Sequence, residues 1–392
     1  MIRVKHIKII VLFGILQFVV SACVEEYWPE LDEKYENMLV VDGMITNKPG
    51  PYIVKISLST TVNKPAYMPL SNCEVMIIDD KGNSETLNEN EPGVYTTSPS
   101  GIRGMVGRKY KITIHTPDEK NYESTFEELK QPVGINSVYA EIEYREDINY
   151  VYDLAGYQFY LDTYQAESDT NFFLWKLERT YKFNANYRIK YIFDGEFHVM
   201  AHSDSLYTCY KTDNIEEIFT YHTLNLTDPK LTRFPLHFVN TETKELSIRY
   251  SLLVKQLSIS ETAYQFWNSL EDRESEEGSM YTKQPYQIRG NVFNTDNAGE
   301  PVMGFFLVAG RTDKRVFVNR PFTLNFHYNT TCFLITQELL TVLSLMQDQW
   351  PLYLYAVFHE TGGQSPALPS DQSCLDCTIG GGKIIKPDFW ID

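Results

Sequence analysis

The chain has 392 residues and a formal charge of −17 at pH 7, because 52 acidic residues outnumber 35 lysines and arginines. Such an acidic protein repels the phosphates of nucleic acids and the headgroups of anionic lipids, so we expect neither as a partner. The length favours two domains over one, and a hydrophobic fraction of 43% is enough to build their cores.

The first residues have the pattern of a bacterial export signal that ends in a cysteine. Arg3, Lys5 and Lys8 precede an apolar stretch over 9–20. That stretch is too short for a membrane-spanning helix, which needs about 20 residues. Small residues and then Cys23 follow, which resembles the lipobox of bacterial lipoproteins. The resemblance implies cleavage directly before Cys23 and acyl chains on it. An ordinary secretory signal with an unrelated cysteine is the alternative.

An acidic tether over 23–36 is expected between the signal peptide, residues 1–22, and the folded part. Glu25 and Glu26 come soon after the cysteine. This resembles lipoproteins that Bacteroidota send to the outer face of the outer membrane. We therefore expect a lipid-anchored outer-membrane protein that faces the cell exterior. The alternative is a tether that is polar only because it is solvated, on a protein facing the periplasm.

Strand patterns begin after the tether. From Tyr52 to Leu58, apolar side chains alternate with polar ones, and similar alternation recurs at 72–79 and 109–116. Turn residues separate these segments at a spacing of roughly ten residues, which is typical of a β-sandwich. We predict an Ig-like β-sandwich domain over 37–131.

The rest of the chain, 132–392, is predicted to form a larger, mostly β domain with one or two packed helices and a cysteine-containing tail. The fold class is therefore all-β. The first helix is expected near 259–272, where Ser258 and Glu261 have the spacing of a capping box. Its apolar residues recur at helical spacing: Ala263, Phe266, Trp267 and Leu270. A second helix is expected near 337–346, with three leucines on one face: Leu339, Leu340 and Leu343.

Five cysteines remain besides Cys23, and the compartment permits disulfides. Because five is odd, at least one thiol is unpaired. Cys73 is the candidate, since it alternates with apolar residues on one strand face as a small core residue would. The other four are disulfide candidates: Cys209, Cys332, Cys374 and Cys377. Four cysteines can pair in three ways.

Cys374 and Cys377 form a C-x-x-C pair that has four interpretations. We favour two disulfides that attach the C-terminal tail to the domain, each stabilising it by about 2–4 kcal/mol. A redox pair, a zinc site and free thiols are the alternatives. The glycines at 380–382 are expected to let the tail turn, so that Phe389 and Trp390 dock.

The sequence carries no clear motif for catalysis or metal binding. His198 and His202 lie four apart in a hairpin-like stretch, and on a strand that separation is about 13 Å, too far to share one ion. No G-x-S-x-G nucleophile motif is present. We expect no catalytic residue, no metal and no cofactor, although the two carboxylates of a glycosidase need no local signature.

Aromatic residues offer candidates for ligand binding by stacking. The most tyrosine-rich stretch contains four of them: Trp175, Tyr181, Tyr187 and Tyr191. For each, a core or ordinary strand position is the alternative interpretation.

Four segments, in this order, resemble one family. They cover residues 39–59, 249–267, 284–292 and 374–390. The pattern is similar to the family numbered 4249 among domains of unknown function, whose members are Bacteroidota lipoproteins. The chain departs from it at Tyr210, where members often carry Trp, and at Thr378, where they often carry Arg.

The resemblance implies an accessory role in nutrient uptake, since genes of this kind are often neighbours of TonB-dependent outer-membrane receptors. We expect a non-catalytic lipoprotein that captures a glycan, a peptide or a chelated metal for such a receptor. A structural or adhesive envelope lipoprotein is the alternative, and an extracytoplasmic hydrolase is a third hypothesis.

Overall fold

The computed structural model describes residues 37–60, 66–164, 171–224, 230–276, 288–328, 332–360 and 362–391. Strands dominate the described residues, so the all-β class is confirmed. The signal peptide, Cys23 and the tether lie outside the described residues, and what the sequence indicates for them stays a prediction.

Ten strands precede residue 132. They are β1 (Leu39–Thr46), β2 (Ile53–Leu58), β3 (Met68–Pro69), β4 (Glu74–Asp79), β5 (Ser84–Thr86), β6 (Asn88–Glu91), β7 (Val94–Thr96), β8 (Lys109–His115), β9 (Asn121–Ser124) and β10 (Glu127–Glu128).

Thirteen strands follow in the described part of the chain. They are β11 (Ile135–Arg145), β12 (Leu154–Thr163), β13 (Phe172–Asn184), β14 (Tyr191–Phe193), β15 (Phe197–Val199), β16 (Thr208–His222), β17 (Phe234–Asn240), β18 (Arg249–Ile259), β19 (Val292–Asn294), β20 (Met303–Asn319), β21 (Leu334–Ile335), β22 (Leu352–Phe358) and β23 (Gln364–Pro369). The α-helices are α1 (Glu261–Glu276) and α2 (Leu339–Leu345), and the short 3₁₀ helices are Lys244–Leu246, Gln347–Gln349 and Gln372–Cys374.

The strands form four sheets. The largest has the order β16-β13-β18-β20-β1-β2-β7-β6, with β3 beside β2. A second has the order β19-β9-β8-β4-β5, with β10 beside β8, a third has β11-β12-β17, and the fourth has β15-β14-β22-β23-β21. All strand pairs are antiparallel in the described chain, except that β1 and β20 run parallel.

Strands from both sides of residue 131 hydrogen-bond in the same sheets. In the largest sheet β1 pairs with β20 from Val40 opposite Met303 to Thr46 opposite Ala309. In the second sheet β19 pairs with β9. Gly304 has a φ of +87°, and a Cβ there would lie 2.0 Å from the carbonyl oxygen of Val41, so this crossing requires glycine.

The N-terminal core lies between the largest sheet and the second sheet. Apolar side chains of alternating positions on β1, β2, β4 and β8 meet there, as the period of two predicts. Cys73 is buried in this core as a free thiol, as expected. Phe306 and Val308 of β20 complete it. The arrangement is that of two packed sheets, and the finer Ig-like assignment stays a prediction.

The two faces of the β16-β13-β18 segment are covered by different partners. The β11-β12-β17 sheet covers one face, where Phe159 and Leu161 pack with Trp175. Helix α1 covers the other face through Ala263 and Phe266. The four apolar residues predicted for this helix all belong to that cluster, so its buried face is confirmed.

The N-cap of α1 is Ser260 rather than Ser258. The Ser260 Oγ accepts a hydrogen bond from the backbone N–H of Ala263 at 3.1 Å. Strand β18 extends to Ile259, so Ser258 still lies in the strand, where its hydroxyl accepts a bond from the Val133 N–H at 3.1 Å. The predicted capping box was therefore wrong by two residues.

Helix α2 closes the fourth sheet. Leu343 is fully buried against Leu354 and Leu368, and Leu339 packs against the same cluster. Leu340 is 64% exposed and does not share this face, which corrects the sequence prediction. In the part of the chain that is described, no helix is both long and apolar enough to cross a membrane.

Candidate functional site

Two of the four predicted stacking residues are core residues. Trp175 is 1% exposed, its ring stacks on Phe234 with centroids 4.5 Å apart, and its indole N–H donates to Gln256 at 3.1 Å. Tyr181 is 9% exposed, and burial raises the pKa of its hydroxyl to about 12. Neither ring is available to a ligand, because both side chains face the β11-β12-β17 sheet.

Tyr191 is half-buried in a different place. It pairs with Leu354 across β14 and β22 and packs against the core below α2. It is not among the residues that line the depressions around Tyr187. Tyr191 is therefore a strand residue of the fourth sheet.

Tyr187 lies in a surface cleft of about 330 Å³, which we call the aromatic cleft. Its ring lies 4.8 Å from that of Tyr355, centroid to centroid. The guanidinium of Arg188 lies 4.1 Å from the ring centroid of Tyr207. Phe358, 69% exposed, contributes a further apolar surface. The cleft thus combines several aromatic rings with two cations, Arg188 and Lys190, of which Arg188 is ion-paired with Asp204.

The cysteine-containing tail holds Tyr187 in place. Its hydroxyl donates to the carbonyl oxygen of Cys332 at 3.1 Å, and its backbone N–H donates to the carbonyl oxygen of Cys374 at 2.9 Å. The structure has the disulfides Cys209–Cys377 and Cys332–Cys374, one of the three pairings that the sequence left open. The second bridge joins the two residues whose carbonyls fix Tyr187.

The tail beyond the disulfides docks on the domain. Trp390 is 4% exposed and meets Tyr210 edge to face, with ring centroids 5.1 Å apart. Phe389 is 39% exposed under the guanidinium of Arg315, 3.6 Å from its ring centroid. Gly382 lies against the first bridge, where a Cβ would be 2.7 Å from the Cβ of Cys209. Docking of the tail is confirmed, with Trp390 as the buried member.

A second depression adjoins the aromatic cleft, and we call it the basic depression. It also measures about 330 Å³ and shares Asn186, Tyr187 and Tyr207 with the cleft. Lys244 and Arg320 line its other side. Burial lowers the pKa of the Lys244 ammonium. No sequence pattern marked these two cations.

Neither depression is lined by a carboxylate, a histidine or a cysteine among its described residues. Elsewhere, the described chain holds no group of three or more His, Cys, Asp or Glu side chains that could bind a metal ion. His198 lies on the β14–β15 hairpin, exposed, and its Nε2 lies 3.0 Å from Asp194. The chemistry that the two depressions offer is therefore stacking, amide hydrogen bonding and positive charge.

The family described as "Domain of unknown function (DUF4249)" matches residues 24–315, well over half of the chain. The chain belongs to this DUF4249 family. The matched residues include three of the four segments that carry the resemblance, and the segment 374–390 lies outside them. No curated protein matches the chain.

Only part of the candidate site lies within the residues that match DUF4249. It includes Tyr187, Tyr207 and Lys244, whereas Arg320, Tyr355 and both cysteines of the second bridge lie beyond residue 315. The aromatic cleft is therefore built where the matched region meets the C-terminal part.

Proposed function

We propose that this DUF4249 protein is a surface-exposed outer-membrane lipoprotein that captures a ligand for a TonB-dependent receptor and does no chemistry on it. The observation that carries the proposal is the aromatic cleft with the adjoining basic depression. Both have walls suited to holding a ligand, and their described linings lack the carboxylate pair of a glycosidase.

The aromatic cleft has the features of a preformed binding site. Tyr187 is held from two sides by carbonyls of the disulfide-bonded segments, so little ordering is needed when a ligand arrives. A site that is already ordered loses less conformational entropy on binding. Three half-buried tyrosine rings, the exposed Phe358 and nearby amide side chains suit a sugar, a peptide or an organic chelate.

A contact surface for a protein partner lies at the hairpin between β11 and β12, residues 146–153, which we call the hairpin tip. Ile148 and Val151 are fully exposed there. Glu146, Asp147 and Asp153 flank them. These acids disfavour a lipid surface, and they suit an apolar pocket with a basic rim on a protein. We propose that this pocket belongs to the receptor.

The hairpin tip also favours the second candidate function, an adhesive or structural envelope lipoprotein. A protein contact alone is enough for that role, and the aromatic cleft would then bind no ligand. The two candidates differ in whether a small ligand binds at Tyr187.

Binding of a ligand at Tyr187 is the expected result when the full-length protein in detergent is tested against oligosaccharides, peptides and metal chelates. Tyr187→Ala should weaken the binding about tenfold, since an aromatic contact of about 1.5 kcal/mol is lost. Isothermal titration calorimetry measures the affinity, and mass spectrometry of the recovered ligand reports whether it is unchanged.

Tyr191→Ala is the matched control, because it removes a half-buried tyrosine outside the cleft. Recovery of a cleaved ligand would contradict the non-catalytic proposal. Binding that is equally strong in wild type and Tyr187→Ala would contradict the site.

A further inference from the structure

The basic depression holds two cations that have no acidic partner among the described residues, in a chain rich in acids. Lys244 and Arg320 are half-buried. Within the described residues, neither has a carboxylate within 4.0 Å, whereas many other cations of this protein do: Arg108, Lys111, Arg179, Lys255 and Arg315, for example. Half-buried charge without a counter-ion costs free energy, so an anion that binds here from outside would stabilise the arrangement.

Both cations are fixed in position by neutral groups. The Lys244 ammonium donates to the Asn186 side chain and to the carbonyl oxygen of Asn184, at 3.5 Å for the latter. The Arg320 guanidinium lies 4.0 Å from the ring centroid of Phe326, and its Nη1 donates to the Ser247 carbonyl at 3.1 Å. Since a guanidinium has five N–H donors, most of them remain for a ligand.

The surroundings of the cations indicate what carries the anion. Tyr187 and Tyr207 lie between the basic depression and the aromatic cleft and line both. A ligand that presents an anionic group to Lys244 and Arg320 therefore places its adjoining part on these aromatic rings. The amides of Asn184 and Asn186 can accept from and donate to hydroxyl groups.

We propose that the basic depression binds the carboxylate of an acidic sugar, so that the captured ligand is a uronate-containing oligosaccharide. The proposal rests on the proposed function and names its ligand class. Lys244 and Arg320 bind the carboxylate, and the sugar ring lies on the face of Tyr187 or Tyr207. Carboxylate geometry suits the planar fork of arginine, with the lysine as a point charge beside it.

The test compares three probes on the full-length protein by calorimetry: a trimer of galacturonate, a neutral trimer of galactose and inorganic phosphate. The galacturonate trimer is expected to bind at least tenfold more tightly than the neutral one. Lys244→Met and Arg320→Met should each weaken it by about 10-fold to 100-fold, since a charge-assisted hydrogen bond is lost. Lys244→Arg keeps the charge and should retain most of the affinity.

Lys81→Met is the matched control, because Lys81 is exposed on the β4–β5 turn and its removal changes the net charge equally. Equal binding of charged and neutral trimers, with loss only in Tyr187→Ala, would overturn the anionic ligand and leave the capture function standing. Failure of the galacturonate trimer to bind overturns the uronate proposal. Tighter binding of phosphate than of galacturonate also overturns it, since the site would then recognise the anion without the sugar.

Discussion

Replacing Cys209 and Cys377 together by alanine is expected to lower the free energy of unfolding by about 5 kcal/mol. The bridge closes a loop with a sequence separation of 168 residues, and loop-closure entropy of the unfolded chain rises with loop length. Chemical denaturation measures the loss, and the m-value should rise, because the unfolded chain without the bridge is less compact and exposes more surface.

The second bridge provides the comparison. Cys332 and Cys374 are separated by only 42 residues, so their replacement should cost about 4 kcal/mol. Its effect on ligand binding should be larger than that of the first pair, since the carbonyls of both residues hold Tyr187. A loss below about 1 kcal/mol for the first pair would show that this bridge does not constrain the unfolded chain as the loop-closure model requires.

Phe306→Ala is expected to destabilise the N-terminal core, although Phe306 belongs to β20. The side chain is fully buried there, and Phe306 stands opposite Gly43 in the parallel β1–β20 pair. Truncation of a buried phenylalanine leaves a cavity and costs about 3–5 kcal/mol. Thermal unfolding followed by calorimetry and by tryptophan fluorescence measures it.

The same variant tests whether the parts of the chain before and after residue 131 unfold together. Because β1 and β20 share one ladder, both probes should shift by the same amount in a single transition. Phe322→Ala, at a residue that is 94% exposed, should leave the midpoint temperature of unfolding unchanged. Two separate transitions, of which Phe306→Ala shifts only one, would contradict a shared cooperative unit.

Local patterns were enough to predict a strand near residues 52–58 and the buried face of α1. Alternation from Tyr52 to Leu58 and helical spacing from Ala263 to Leu270 depend on backbone geometry alone, and the structure has both. The cap of α1 is a feature that such patterns could not predict. Ser258 and Ser260 are chemically identical, and only the length of β18 decides which one caps the helix.

The stacking candidates show the same limit at the level of packing. Trp175 and Tyr181 are six residues apart on β13, so the period of two puts them on one face. Whether that face is open depends on a sheet built from β11, β12 and β17, two of which come earlier in the sequence. The sequence could not indicate that this sheet covers the two rings.

The candidate site combines residues from distant parts of the chain. Tyr187, Lys244, Arg320 and Tyr355 come from four separate segments, and no motif joins them. Tyr187 was detectable as an aromatic in a tyrosine-rich stretch. No sequence pattern marked the two cations, because whether a lysine or arginine is ion-paired depends on which carboxylates fold next to it.

Co-purification of the tagged full-length protein from the membranes of its source cells in mild detergent tests the central claim most directly. We expect a TonB-dependent receptor in stoichiometric amount. We also expect its loss when Ile148 and Val151 are both replaced by aspartate, but not when the exposed Phe322 is. A protein recovered at the membrane without any receptor, or with a receptor that ignores the hairpin tip, would contradict the account of capture and transfer.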